Sequence, residues 1–107
     1  MKLLTAEIIH NLEKHPIGSQ ENAGAEAEVI VKFFGGGTAT WLVTEGELQE
    51  DGDWLFFGCV TLFGDDEWEW GYFTLSELQG LRFPPFGLPI ERDMWLHKHT
   101  KIKELIA

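Results

Sequence analysis

The chain has one cysteine in 107 residues, so no disulfide can form within it. It has no Lys or Arg between Phe33 and Leu81. A surface without bases cannot grip phosphates, which excludes that stretch as a direct nucleic-acid contact and argues against docking on anionic membranes. Long apolar runs are missing too. The longest, Trp54 to Phe63, is half of what a membrane-spanning helix needs. Glu7 interrupts the apolar N-terminal stretch MKLLTAEII, so no secretory signal reads there. A soluble, cytoplasmic protein is the expectation. Catalytic signatures are also lacking. No Gly-x-Ser-x-Gly occurs, and the glycine run Gly35-Gly36-Gly37 lacks the Lys-Ser/Thr and helix start of a phosphate loop. Cys59 sits in the apolar run WLFFGCVTLF with no His close in sequence, and reads as a small core residue.

What is present is acid and aromatic surface. The formal charge is −10. Ten acids lie in the base-free block: Glu45, Glu47, Glu50, Asp51, Asp53, Asp65, Asp66, Glu67, Glu69 and Glu77. The rest of the chain carries eight acids and eight bases, so all of the net charge belongs to the middle. Hydrophobic residues make up 44%, with eight Phe, five Trp and one Tyr. At this length one domain, residues 1–107, is expected to bury a core without staples.

Thr5 to His15 reads as a helix capped by Thr5, with Ile8, Ile9 and Leu12 as its apolar stripe and Pro16 and Gly18 as its stop. Glu26 to Phe34 alternates as a strand, Ala27, Val29, Val31 and Phe33 on one face and Glu26, Glu28 and Lys32 on the other. Thr38 to Glu45 and Trp54 to Phe63 read as further strands, the last apolar on both faces and therefore central. The stretch GDDEWEWGYF reads as a hairpin turn at Gly64-Asp65-Asp66 and then a fourth strand. Its alternation puts Trp68, Trp70 and Tyr72 on a dry face and Glu67, Glu69 and Gly71 on a wet one. Thr74-Leu75-Ser76-Glu77 is a capping box opening a short helix through Gln79 that Gly80 ends. Pro84, Pro85 and Pro89 keep Arg82 to Ile90 irregular. A short strand over Met94 to His97 and a helical turn over Ile102 to Ile106 follow. The sum is an α+β single domain: a four-or-five-stranded, mostly antiparallel sheet with an N-terminal helix, a short helix after strand four and a C-terminal helical turn.

KLLT, VKFF, ATWLVTE, FGCVTLFG, GYFTLSELQGLR and FGLPIERD occur in an order and spacing that resembles the bacterial family of domain of unknown function 2958. The resemblance runs from Lys2 to about Trp95, and GYFTLSEL followed by GLPIERD is its most specific part. It implies a small cytoplasmic protein of plasmids, phages and integrated elements, with no established activity or catalytic residues to carry over. RFPPFGLPIERD departs from the family pattern in its Pro pair and Phe86, and the block from Glu45 to Glu69 is richer in acids and Trp.

Three candidate sites follow. The first is a partner surface of Glu50, Asp51, Asp53, Trp54, Asp65, Asp66, Glu67, Trp68 and Glu69. Duplex DNA carries one charge per ~1.7 Å of axis, so ten acids match roughly half a turn, and exposed Trp is a common interface anchor. With the mobile-element setting, this gives a non-enzymatic acidic protein that docks on or inhibits a basic nucleic-acid-handling host protein, as an anti-defence factor or DNA mimic. The two acidic turns fall at opposite ends of strand three, which counts against one continuous surface. The second site is the turn Glu91-Arg92-Asp93, with Arg92 pinned by its acidic neighbours. In the third, His97 and His99 lie about 6.8 Å apart on one face of an extended chain, a weak metal pair. No cofactor is expected. The alternatives are a self-associating or protein-binding domain, including a homodimer through an aromatic edge strand, and a small-ligand or metal-dependent enzyme on GLPIERD and the His-x-His.

Overall fold

The computed structural model describes residues 1–64 and 67–106. Asp65 and Asp66, and with them the expected hairpin turn, lie outside the described residues. Strands β1 (Val31–Gly35), β2 (Ala39–Leu48), β3 (Trp54–Thr61), β4 (Glu69–Thr74) and the short β7 (Glu91–Arg92) form one antiparallel sheet in the order β4-β3-β2-β1-β7. The first four strands are a meander, each paired with its sequence neighbour. Helix α1 (Ala6–Glu13) precedes the sheet, α2 (Leu75–Gly80) follows β4, and α3 (Ile102–Leu105) ends the chain. The architecture is the α+β domain that the sequence pattern implies.

Each face of the sheet buries its own apolar cluster. On the first face Phe33, Trp41, Val43, Trp54, Phe56 and Phe73 pack with Leu12 of α1 and Leu78 of α2. Thr5 caps α1, its hydroxyl accepting the Ile8 N–H at 3.2 Å. Thr74 caps α2 through the Glu77 N–H at 3.2 Å, and the helix runs one residue past Gln79 to include Gly80. On the second face Leu42 and Cys59 pack with Ala27, Val29 and Ile102, so α3 and the segment before β1 form its lid. Cys59 is fully buried, and burial pushes its thiol up from the ordinary value, away from the reactive thiolate.

Four expectations about the strands and loops need correction. The first strand begins at Val31, not Glu26. Residues Gly24–Glu26 form a 3-10 turn, and Glu28 makes only an isolated bridge with Lys101. Ala27 and Val29 therefore join the second cluster while Val31 and Phe33 join the first. Arg82 to Ile90 is less irregular than its prolines suggest, since β5 (Arg82–Phe83) pairs with β6 (Leu88–Pro89) in a small hairpin. Its Phe83 lies where Cβ atoms at Gly35 and Gly36 would sit, so the glycine run is needed for packing as well as for the left-handed φ of 63° at Gly36. No strand forms over Met94–His97, where Met94 and Trp95 lie in a turn and Leu96 and His97 have no regular structure. The fourth correction concerns β4 and is described below.

Lys101 and Lys103 fasten α3 to Glu26 at 2.8 and 2.5 Å. The two ammonium groups, Lys101 first, lower the Glu26 carboxyl from 4.5 to about 2. Because the folded pKa lies below the unfolded one, this contribution is complete above 4.5 and is lost as pH falls toward 2. The groups are exposed, so the effect is small and salt-sensitive. NMR titration is expected to show α3 amide shifts that follow Glu26 and vanish in Glu26→Gln. Shifts that persist in Glu26→Gln would rule the clamp out.

Candidate functional site

Glu67 and Glu69 are exposed as expected and Trp68 is half-buried, but the rest of the expected dry face of β4 is open. Phe73 pairs with Phe56 and is buried on the first face, whereas Trp70 is 44% and Tyr72 63% exposed on the second. The parity is set at the strand's C-terminal end. Thr74 leads straight into α2, whose Leu78 belongs to the first cluster, and this brings Phe73 inward. Trp70 and Tyr72 then lie on the side covered by α3 and the loop before β1. That lid reaches Leu42, Cys59 and the half-buried Trp68, but not the outer end of the sheet.

The uncovered area is an aromatic platform. Phe57 of β3 lies opposite Tyr72, their ring centroids 4.9 Å apart and tilted by 56°. Trp70 stacks on the same Phe57 at 5.6 Å and 18°. Each geometry is a favourable one for aromatic pairs. Leu55 extends the platform along β3, and its neighbour across β2 is the exposed Glu47. Glu69 is exposed next to Trp70, on the other face of the same strand.

The remaining candidate acids are divided. Glu45 is buried at 2% exposure, its carboxylate accepting the backbone N–H groups of Gly18 and Gln20 at 2.7 and 2.8 Å. Asp53 is also occupied. It accepts the Ser76 N–H at 3.1 Å and the Ser76 hydroxyl at 2.5 Å, and that hydroxyl is the main cause of its lowered pKa. Trp54 is 8% exposed in the first cluster and is no partner anchor. Glu50 and Asp51 are exposed in the β2–β3 turn, at one end of β3, while Glu67 is exposed beyond the other end. Eight extended residues span about 23 Å, so Glu50 and Asp51 remain separate from Glu67.

Arg92 does not pair with its neighbours. In β7 adjacent side chains point to opposite faces. Arg92 instead donates to the Lys2 carbonyl, and Asp93 reaches Lys32 at 3.5 Å. His97 and His99 do not lie on an extended chain either. His99 has φ of 63°, and its ring nitrogen Nδ1 approaches Glu28 at 3.1 Å. Glu28 also faces His15 Nε2 at 3.7 Å, with His15 Nδ1 donating to the Asn11 carbonyl at 2.9 Å. This cluster lines a cleft of about 490 Å³ between α1 and residues 92–99. Sequence spacing could not find it, because its members are 13 and 71 residues apart in the chain. Among the described residues the one hydroxyl lining the cleft belongs to Thr5, which caps α1, and Cys59 is buried elsewhere. Among the described residues no three His, Cys, Asp or Glu side chains are grouped to hold a metal.

Fold and surface together define a small acidic α+β domain with an open, aromatic sheet edge. The family described as protein of unknown function (DUF2958) matches residues 3–107, and the chain belongs to it. No curated protein and no solved structure matches the chain.

Proposed function

We propose that the protein is a non-enzymatic binding module that docks a basic protein on β4. The observation that carries this reading is the Phe57–Trp70–Tyr72 platform, exposed at the end of the sheet and left uncovered by the lid. Aromatic residues are over-represented among interface hot spots. The partner's charge follows from the surroundings. Glu47 lies beside the platform, Glu69 is exposed on the opposite face of the same edge strand, and the block from Phe33 to Leu81 supplies no base. Of the bases near α3, Lys101 and Lys103 are already engaged by Glu26. A second copy of the chain would bring −10 against −10 and is disfavoured on the same ground. A basic nucleic-acid-handling host protein has the required charge. Mimicry of a long phosphate track is not needed for this, and the separation of Glu50 and Asp51 from Glu67 does not favour it.

A tagged pull-down from host cells tests the proposal. Trp70→Ala with Tyr72→Ala is expected to lose a basic partner that the wild type recovers, a weakening of about thirtyfold or more. Glu47→Gln with Glu69→Gln is expected to retain it weakly and with less dependence on salt. Recovery of the same partner by the aromatic double variant would sink the reading.

A further inference from the structure

We infer that the partner binds as an added β-strand, an extended basic segment hydrogen-bonded along the free edge of β4; this rests on β4 being the docking surface. The two edges of the sheet are treated differently. The β7 edge is only two residues long and is blocked by the N-terminus: the Arg92 N–H donates to Met1 Sδ at 3.2 Å, and its guanidinium holds the Lys2 carbonyl. The β4 edge is six residues long and pairs with β3 without a register shift. Among the described residues no strand pairs with its outer side. It has no Lys, no Pro and no bulge, and Glu69 at its start is its one charged residue. An edge of this kind offers a row of unpaired N–H and C=O groups to an incoming chain, and main-chain bonding of that sort is an established mode of peptide capture.

The side chains specify what the strand must carry. An added strand lies about 4.8 Å away, with its side chains alternating between the two faces of the sheet. Residues on the second face come to rest beside Trp70 and Tyr72, where Arg stacks on the rings. On the first face the neighbours are Glu69 and Gly71. A Cβ on Gly71 would meet nothing within 4 Å, which leaves room beside the buried Phe73 for a bulky apolar side chain. The partner segment is thus extended, with Arg on the aromatic face and apolar residues on the other.

The test is a titration of the full ¹⁵N-labelled chain with a synthetic peptide of alternating Arg and Val. Two further peptides carry backbone N-methyl groups, one on the Arg residues and one on the Val residues. Only one of the two sets removes the donors that face β4. One methylated peptide is expected to lose about tenfold or more in affinity while the other stays within about threefold, with amide shifts concentrated on 69–74. If both methylated peptides bind like the parent and Trp70→Ala still weakens all three, the strand-addition mode is wrong and the docking surface stands. If the shifts fall in the His15–Glu28–His99 cleft, or Trp70→Ala changes nothing, both readings fall. A Glu-Val peptide binding as well as the Arg-Val one would overturn the basic character of the segment. Failure of the parent peptide to bind at millimolar concentration would also overturn the strand-addition mode.

Discussion

Gly58→Ala is expected to destabilise the fold severely. A Cβ at Gly58 would lie 1.9 Å from the Leu42 carbonyl oxygen and 2.9 Å from its carbon, with Val43 Cα at 3.0 Å. These are backbone atoms of the adjacent strand and cannot rotate away as a side chain would. The crowding arises because Gly58 lies opposite Val43, where the β2–β3 register shifts before Glu45 and the bulge bends β2 across β3. Relief requires parting the two strands at the centre of the longest pairing in the sheet. The loss is expected to be about 4 kcal/mol or more, a large share of the ~5–15 kcal/mol that holds a typical domain together. Urea unfolding measures it, with Gly71→Ala as the matched control. Gly71 also lies in a strand, opposite Gly58 itself, but a Cβ there has open space, so its effect is expected within about 1 kcal/mol. Equal unfolding midpoints for the two variants would show that β2 and β3 are not locked as closely as their register implies.

The contrast between these glycines shows where sequence reasoning reaches its limit. A run apolar on both faces located β3, and period-two alternation located β4, because side-chain direction alternates whatever the strands pack against. It could not say which side of β4 is buried, because both faces of this sheet carry an apolar cluster. Three aromatics in alternation looked like the inner face, yet the single Phe73 next to α2 sets the parity. The reach of the lid decided the rest, and it depends on tertiary contacts of residues 23–29 and 96–106 that no local pattern encodes. Thr5 and Thr74 were readable as caps because capping is local. The His15–Glu28–His99 cluster was not, because a helix end, a bridge residue and a left-handed turn meet there only in three dimensions.

The acidic block combines two kinds of carboxylate, and Glu45 separates them. If its charge served only surface acidity, removing it from a chain of −10 would relieve self-repulsion and stabilise the fold slightly. The structure implies the opposite sign. Both carboxylate oxygens accept backbone N–H groups, and Gln20, placed by one of these bonds, then bridges two segments. Its amide donates to the carbonyls of Glu28 and Thr44 at 2.9 and 2.8 Å and accepts the Glu28 N–H at 2.8 Å. Glu45→Ala removes two charge-assisted bonds and leaves the Gly18 and Gln20 amides without their acceptor, an expected cost of about 3–4 kcal/mol. Glu45→Gln keeps a single carbonyl acceptor, and a cost of about 2 kcal/mol is expected. Chemical denaturation gives the sign and size, and hydrogen exchange is expected to speed up first in residues 16–28. Partner binding by the folded fraction is expected to be unchanged, since Glu45 lies under the loop and not on the aromatic edge. A stabilising Glu45→Ala would reverse this assignment and return the residue to the solvated acids.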